Sequence, residues 1–190
     1  PAAAFRPLNH SKRADKPAWI LSVVPALIKE SGDERWMEKS LPYQDGSRGN
    51  LREHLLRAMQ YLAADTGPNG LCDLHEGDWN DGLSPRGEAG GRESVMVTQQ
   101  FCHGLREVAA LADWTGDAAL AAEARGHYAT FKERLNNVAW DGAWYRRVLC
   151  GDGYVIGTAE ANEGRIFLNT QSWAVISGTA SPERAEQCMD

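Results

Sequence analysis

No apolar stretch in this sequence approaches the roughly 20 residues that a membrane-spanning helix needs, and no run of five or more basic residues occurs. The densest basic segment, Ser11-Lys12-Arg13-Ala14-Asp15-Lys16, is broken by an acid. With a net charge of −6 and an isoelectric point near 5.4, these shortages argue against a membrane partner and against binding nucleic acid through bulk electrostatics. Cysteine is sparse and scattered. The four residues at 72, 102, 150 and 188 form no Cys-x-x-Cys pair, so neither a zinc ribbon nor a dithiol redox motif is present. Reduced thiols in a cytoplasmic protein are the plainest reading. His10, His54, His75, His103 and His127 never fall at His-x-x-x-His spacing, and no metal is expected. A G-x-S-x-G elbow and a P-loop are both missing, which removes two common routes to acyl and phosphoryl transfer. An initiator Met is also missing, and the chain stops at Asp190 within what reads as a helix capped by Ser181 and opened by Pro182 and Glu183. The expectation is an internal piece, residues 1–190, cut from one larger domain at both ends.

What is present is mainly helical periodicity. Pro17 opens a segment with Ile20, Val24, Leu27 and Ile28 on one face, Pro25 inside it and Gly32 at its close. Asn50 with Glu53 reads as a capping box, followed by the apolar stripe Leu51, Leu55, Met59, Leu62. A long helix is expected from about Glu93 to Trp114, with Val97, Phe101, Leu105, Val108 and Ala112 inward. Asp117 caps the next, whose stripe is Leu120, Ala124, Tyr128, Phe131 and Leu135. Asp141-Gly142 and Asp152-Gly153, flanked by aromatic and β-branched residues, predict a small β-hairpin or meander. Helix resumes from about Thr170 to Ile176 and ends at Gly178. The pairs Gly32-Asp33 and Gly116-Asp117 each end one helix and can cap the next, a weak echo of repeated helical hairpins.

Residues 71–91 have no helical period. The stretch Gly70-Leu71-Cys72-Asp73-Leu74-His75-Glu76-Gly77-Asp78-Trp79-Asn80-Asp81-Gly82-Leu83 gathers four carboxylates, a histidine, an asparagine and a tryptophan between two helices. It fails the EF-hand pattern, because Gly82 stands where the third oxygen ligand should be. One reading is a solvated acidic loop whose Asp residues cap the flanking helices. The other starts from Trp79. An indole in a polar turn can form one wall of a sugar subsite, and a carboxylate two residues on can reach a glycosidic oxygen. Burial against the ring would keep that carboxyl protonated as an acid. Seven tryptophans in 190 residues lean the same way.

The string Gly77-Asp78-Trp79-Asn80-Asp81-Gly82 resembles the signature loop of glycoside hydrolase family 94. That family holds the cellobiose, chitobiose, laminaribiose and cellobionic acid phosphorylases. The resemblance continues in order through Arg92-Glu93-Ser94-Val95, Ala139 to Arg147, Asn162 to Phe167 and Gln171 to Gly178, so it spans nearly the whole chain. It implies an all-α (α/α)₆ toroid, here partial, with the small β-hairpin as an insertion. It further implies that residues 1–190 are part of one such catalytic domain. Asp81 would be the general acid and Trp79 would line the donor-sugar subsite. Asp15 would bind sugar hydroxyls, although the residues after it depart from the family's pattern. Glu163 would lie near the acceptor subsite, with Arg6 and Arg13 beside the donor sugar or phosphate. The implied reaction is inverting phosphorolysis of a β-linked disaccharide to an α-sugar 1-phosphate and a free sugar. Inorganic phosphate is co-substrate and nucleophile, in a homodimer without metal or organic cofactor. Two alternatives stay open: an inverting hydrolase, with Asp78 or Glu163 as its second carboxylate, and a non-catalytic carbohydrate-binding or scaffold module.

Overall fold

The computed structural model describes residues 13–80, 83 and 91–190. Helix α1 (Lys16–Ser31) starts with a proline in its first turn and ends at Gly32, whose φ of 63° closes it in the left-handed region. The helix runs through Pro25, which is buried. Its buried stripe is Ala18, Leu21, Val24, Pro25 and Ile28, one step round from the face expected. Leu27 is exposed and Leu21 is enclosed. The reason lies across the interface, at Gly104. A Cβ there would lie 2.5 Å from the Cβ of Leu21, so the absent side chain is what lets Leu21 seat.

After Gly32, Asp33 caps a short 3-10 helix (Glu34–Glu38) rather than an α-helix, with its carboxylate accepting from the Arg35 N–H at 3.1 Å. The echo between Gly32-Asp33 and Gly116-Asp117 therefore extends to the cap and not to the element it opens. Strands β1 (Leu41–Pro42) and β2 (Arg48–Gly49) form a tight antiparallel hairpin that the periodicity did not announce. Helix α2 (Leu51–Ala64) carries the complete capping box: the Asn50 side chain accepts from the Glu53 N–H, and Glu53 accepts from the Asn50 N–H at 2.8 Å. Leu51, Leu55, Met59 and Leu62 are its buried residues, as the stripe predicts.

Strand β3 (Arg92–Ser94) takes the first residues of the expected long helix, so α3 (Val95–Thr115) begins two residues later, capped by Ser94. Helix α3 is the centre of the molecule. It packs against α1, against α4 (Ala118–Val138) and against α5 (Leu168–Ile176). Phe101 meets Phe131 edge-on at 5.0 Å within that core. The predicted hairpin is β4 (Val148–Cys150) and β5 (Val155–Ile156), turning at Asp152-Gly153. It is not an isolated insertion, because β3 pairs antiparallel with β4 and completes a three-stranded sheet. Helix α6 (Pro182–Met189) follows Ser181, which caps it as expected. The architecture is mostly helical with two small antiparallel sheets. Among the described residues no helix is long and apolar enough to cross a membrane.

Candidate active site

The polar loop after α2 is fastened to β3 residue by residue. The Leu74 N–H donates to the Arg92 carbonyl at 2.6 Å, and the Ser94 N–H donates to the Cys72 carbonyl at 2.9 Å. Side chains then add a tie at each position of the strand. Arg92 donates to the His75 carbonyl at 2.8 Å. Glu93 is fully buried and accepts from the backbone N–H groups of Asn69 and Leu71, both at 2.9 Å, and from the Asn69 side chain at 2.6 Å. Ser94 donates to Asp78 at 2.8 Å. His75 adopts a positive φ of 49°, costly for a residue with a Cβ. Its ring nitrogen Nε2 lies 2.5 Å from Asp65 Oδ2, and its own N–H bonds Asp73 at 2.7 Å. Burial, aided by the hydrogen bond to Asp65, pushes the nearby Tyr61 phenol up to about 12.

Asp78 is the deepest part of this arrangement. The residue is 1% exposed, and the Arg147 side chain that meets it is wholly enclosed. Arg147 Nη2 lies 2.7 Å from both Asp78 oxygens, and Nη1 donates to Ser94 Oγ at 3.2 Å. Ser94 also accepts from the Val97 N–H at 3.1 Å, so the carboxylate sits at the N-terminal end of α3, where the helix dipole favours negative charge. Asp78 Oδ1 further accepts from the Asn80 N–H at 3.0 Å, which turns the chain sharply and presents Trp79 between them. Trp79 is 67% exposed, an open indole face on a rigid mount. The Leu83 N–H returns to the Asn80 carbonyl at 3.0 Å. Asp81, the expected acid, lies outside the described residues, as does Arg6.

The other expected residues divide. Arg13 donates to the Asp78 carbonyl at 3.0 Å, and the Ala14 N–H donates to the Gly77 carbonyl at 3.0 Å. The segment before α1 is thus docked on the loop, which brings Asp15 to the same region. Asp15 is buried and stands at the N-cap of α1, where its carbonyl accepts from the Ala18 and Trp19 N–H groups but its side chain caps no helix N–H. Its carboxylate instead accepts from the Trp19 indole at 2.8 Å. Glu163 is exposed, in the connection between β5 and α5. That connection is clipped down by Asp141, which accepts from the Ala159 N–H at 2.5 Å and from Arg146 at 2.7 and 2.9 Å. Burial would raise the Asp141 carboxyl, but the Ala159, Arg146 and Thr158 donors outweigh it and hold it below its ordinary value. Asp78 cannot serve as a second catalytic carboxylate, since both oxygens are occupied and enclosed. Among the described residues no cluster of His, Cys, Asp or Glu is arranged to hold a metal ion.

Sequence reasoning missed Arg147 and Ser94. Both stand inside strings that carried the resemblance, yet nothing local marks an arginine after Tyr145-Arg146 as an interior residue. The signal was the pairing partner. A buried carboxylate calls for hydrogen-bond donors, and at Asp78 the Arg147 guanidinium supplies them from β4's approach.

An exposed indole on an acidic loop, braced across a helical core, is an arrangement that could stack on a sugar ring. The chain belongs to the glycosyl hydrolase 94 superfamily, whose catalytic-domain model matches residues 8–190. It is 40% identical over 184 residues to solabiose phosphorylase of Paenibacillus borealis, covering 96% of this chain and 24% of that protein. It is 34% identical to the 3-O-beta-D-glucopyranosyl-beta-D-glucuronide phosphorylase of the same organism, covering 94% and 23%. Identity to the N,N'-diacetylchitobiose phosphorylase of Vibrio proteolyticus is also 34%, covering 93% and 22%. The family is one of enzymes, these relatives are named as phosphorylases, and the chain spans about a quarter of their length.

Proposed function

We propose that the full-length protein is an inverting phosphorylase that cleaves a β-linked disaccharide with inorganic phosphate, releasing an α-sugar 1-phosphate and a free sugar. The observation that carries this reading is the Asp78–Asn80 turn. It leaves Trp79 exposed, two residues before Asp81 in the sequence, within a family whose named relatives are phosphorylases. Asp81 protonates the departing sugar oxygen, and Trp79 stacks on the donor ring. Phosphate attacks the anomeric carbon from the opposite face, so no second carboxylate is required to activate water. The burial of Asp78 favours this over hydrolysis, because it removes one of the two carboxylates a hydrolase could have used.

Asp15 and Arg13 flank the donor side, with Arg13 held there by the Asp78 carbonyl. Arg6 is assigned to the donor sugar or phosphate, and Glu163 to the acceptor side. The six α-helices described belong, on this reading, to an (α/α)₆ toroid in a cytoplasmic homodimer that uses no metal or organic cofactor.

The test is to incubate the full-length protein with β-linked disaccharides in the presence and absence of phosphate, and to follow products by ¹H and ³¹P NMR. Cleavage should require phosphate, and the first-formed sugar phosphate should be the α-anomer. Equal rates in phosphate-free buffer, with free sugar as product, would assign the protein as a hydrolase instead. Asp81→Asn should lower kcat on the disaccharide by about 10²–10⁴-fold, the usual worth of general acid help. It should cost far less on a nitrophenyl β-glycoside, whose leaving group departs without a proton.

A further inference from the structure

The three residues beneath the Trp79 turn come from three separate segments: Asp78 from the loop, Ser94 from the end of β3, and Arg147 from the approach to β4. Arg147 is where those segments are referred to one another. Its guanidinium grips Asp78 and Ser94. Its own N–H donates to the Ile156 carbonyl on β5 at 2.7 Å, and its carbonyl accepts from Val95, the first residue of α3, at 3.2 Å. A Cβ at Gly157 would come within 2.8 Å of the Arg147 nitrogen, so β5 and the connection carrying Glu163 lie hard against it.

A charge pair taken wholly out of water is a poor device for stability alone, because desolvation offsets most of its attraction. What it gives is geometry. A planar guanidinium with fixed N–H directions can hold a carboxylate and a hydroxyl at once in a single register. The carboxylate held is that of Asp78, whose turn with Asn80 presents Trp79.

We propose that Arg147, acting through Asp78 and Ser94, is a positioning residue for the acid-bearing loop. It fixes the loop in the orientation needed for proton donation, without touching substrate. This rests on the assignment of Asp81 as general acid. A lysine at 147 keeps the charge but its donors radiate from one nitrogen, so it cannot reproduce the two-nitrogen fork that sets Asp78 and Ser94 in one register, and the loop should lose register while the interior stays neutralised.

The experiment uses the full-length protein and compares kcat and KM on a disaccharide with those on a nitrophenyl β-glycoside, both with phosphate. Arg147→Lys should lower kcat on the disaccharide by about 10–100-fold, the scale of a misplacement of about an ångström, while changing KM little. The loss on the aryl glycoside should be several-fold smaller. A merely structural role would reduce the active fraction and so depress both substrates alike. Should Arg147→Lys fail to fold, the double variant Asp78→Asn/Arg147→Gln, which removes both charges of this pair, gives the same comparison. Equal losses on both substrates, or none, in a variant with wild-type melting would overturn the proposal. Asp81→Asn is run alongside. Without a leaving-group-dependent loss in that variant the acid assignment falls. With that loss present but missing from the Arg147 variants, only the positioning role falls.

Discussion

At the scale of single residues, Asp78 and Arg147 illustrate how differently the molecule's ion pairs are built. Arg125 and Asp113 meet on the surface with both side chains more than half exposed, where solvent screening leaves such a pair little to contribute. Asp78 and Arg147 meet with no exposure. Removing one partner there strands the other as an unpaired interior charge, at a typical cost of about 3–5 kcal/mol. Urea unfolding of full-length Arg147→Ala should therefore show a midpoint far below wild type, whereas Asp113→Ala should barely move it. A shift of similar size for both would mean that the Asp78 site is wetter than its enclosure implies. Trp79 makes the opposite case. It is exposed and braced only through its neighbours, so Trp79→Ala should leave the melting temperature unchanged while raising the disaccharide KM. Differential scanning fluorimetry beside initial-rate kinetics separates the two effects.

At the scale of elements, the helix starts are held by side chains that titrate. Asp117 caps α4 by accepting from the Leu120 N–H at 3.1 Å and is also gripped by Arg52 from α2. The hydrogen bond from Arg52 is the main cause that lowers the Asp117 carboxyl; burial opposes it, and the Leu120 N–H reinforces it. Because the folded pKa lies below the unfolded one, this stabilisation is complete above the unfolded value of about 3.9. It is lost as pH falls through the folded value, and Asp141 behaves likewise. Stability should thus drop steeply below about pH 4. Asp117→Asn and Asp141→Asn should each flatten that drop in a pH series of denaturation midpoints, and parallel curves would remove these two groups as its source. Asp117→Ala should in addition cost about 0.5–2 kcal/mol at neutral pH, the ordinary worth of an N-cap. These starts were legible in the sequence because a cap is a local pattern, Asn50 with Glu53 being the clearest. The stripe of α1 was misjudged by one step because Gly104, far along the chain, decides which side of the helix can close in. Strand β3 was absorbed into α3 because its pairing with β4 on one side and with the loop at Asp73 on the other, both distant in sequence, makes it extended. The loop's chemistry was legible as a string, while its bracing by Arg147 required residues 69 positions apart to meet.

At the scale of the whole molecule, one side is left apolar. Trp19, Val23 and Leu27 follow one another at four-residue steps along α1, and Leu168, Val175 and Ile176 stand out from α5. Trp19 meets Trp173 edge-on at 6.4 Å, which joins the two helices at this face. Val23 is 59% exposed and Leu168 76%. A face of this kind is a site of association. Expressed alone, residues 1–190 should self-associate, bind a hydrophobic dye and show no phosphorolysis. Light scattering after gel filtration would check this, with Val23→Lys and Ile176→Glu together expected to shift the isolated chain towards monomer. A monodisperse, active wild-type piece would refute the expectation. The lacing of the loop along β3 has a different kind of consequence, for how the gene can drift. Ties at Asn69, Leu71, His75 and Asp78 all land on three adjacent residues whose side chains alternate from one face of the sheet to the other. One codon gained or lost between Asn69 and Asp78 would carry Asp78 off Ser94 and Arg147, however conservative the residue added. Among the described residues the turn at 43–47 shows no backbone tie to a distant strand and should change length more readily, whereas the turn at 151–153 is pinned by the Gly151 N–H donating to the Gly91 carbonyl at 3.1 Å. Among natural variants of this domain, the loop should tolerate spelling changes but keep a constant count, as a tape measure does.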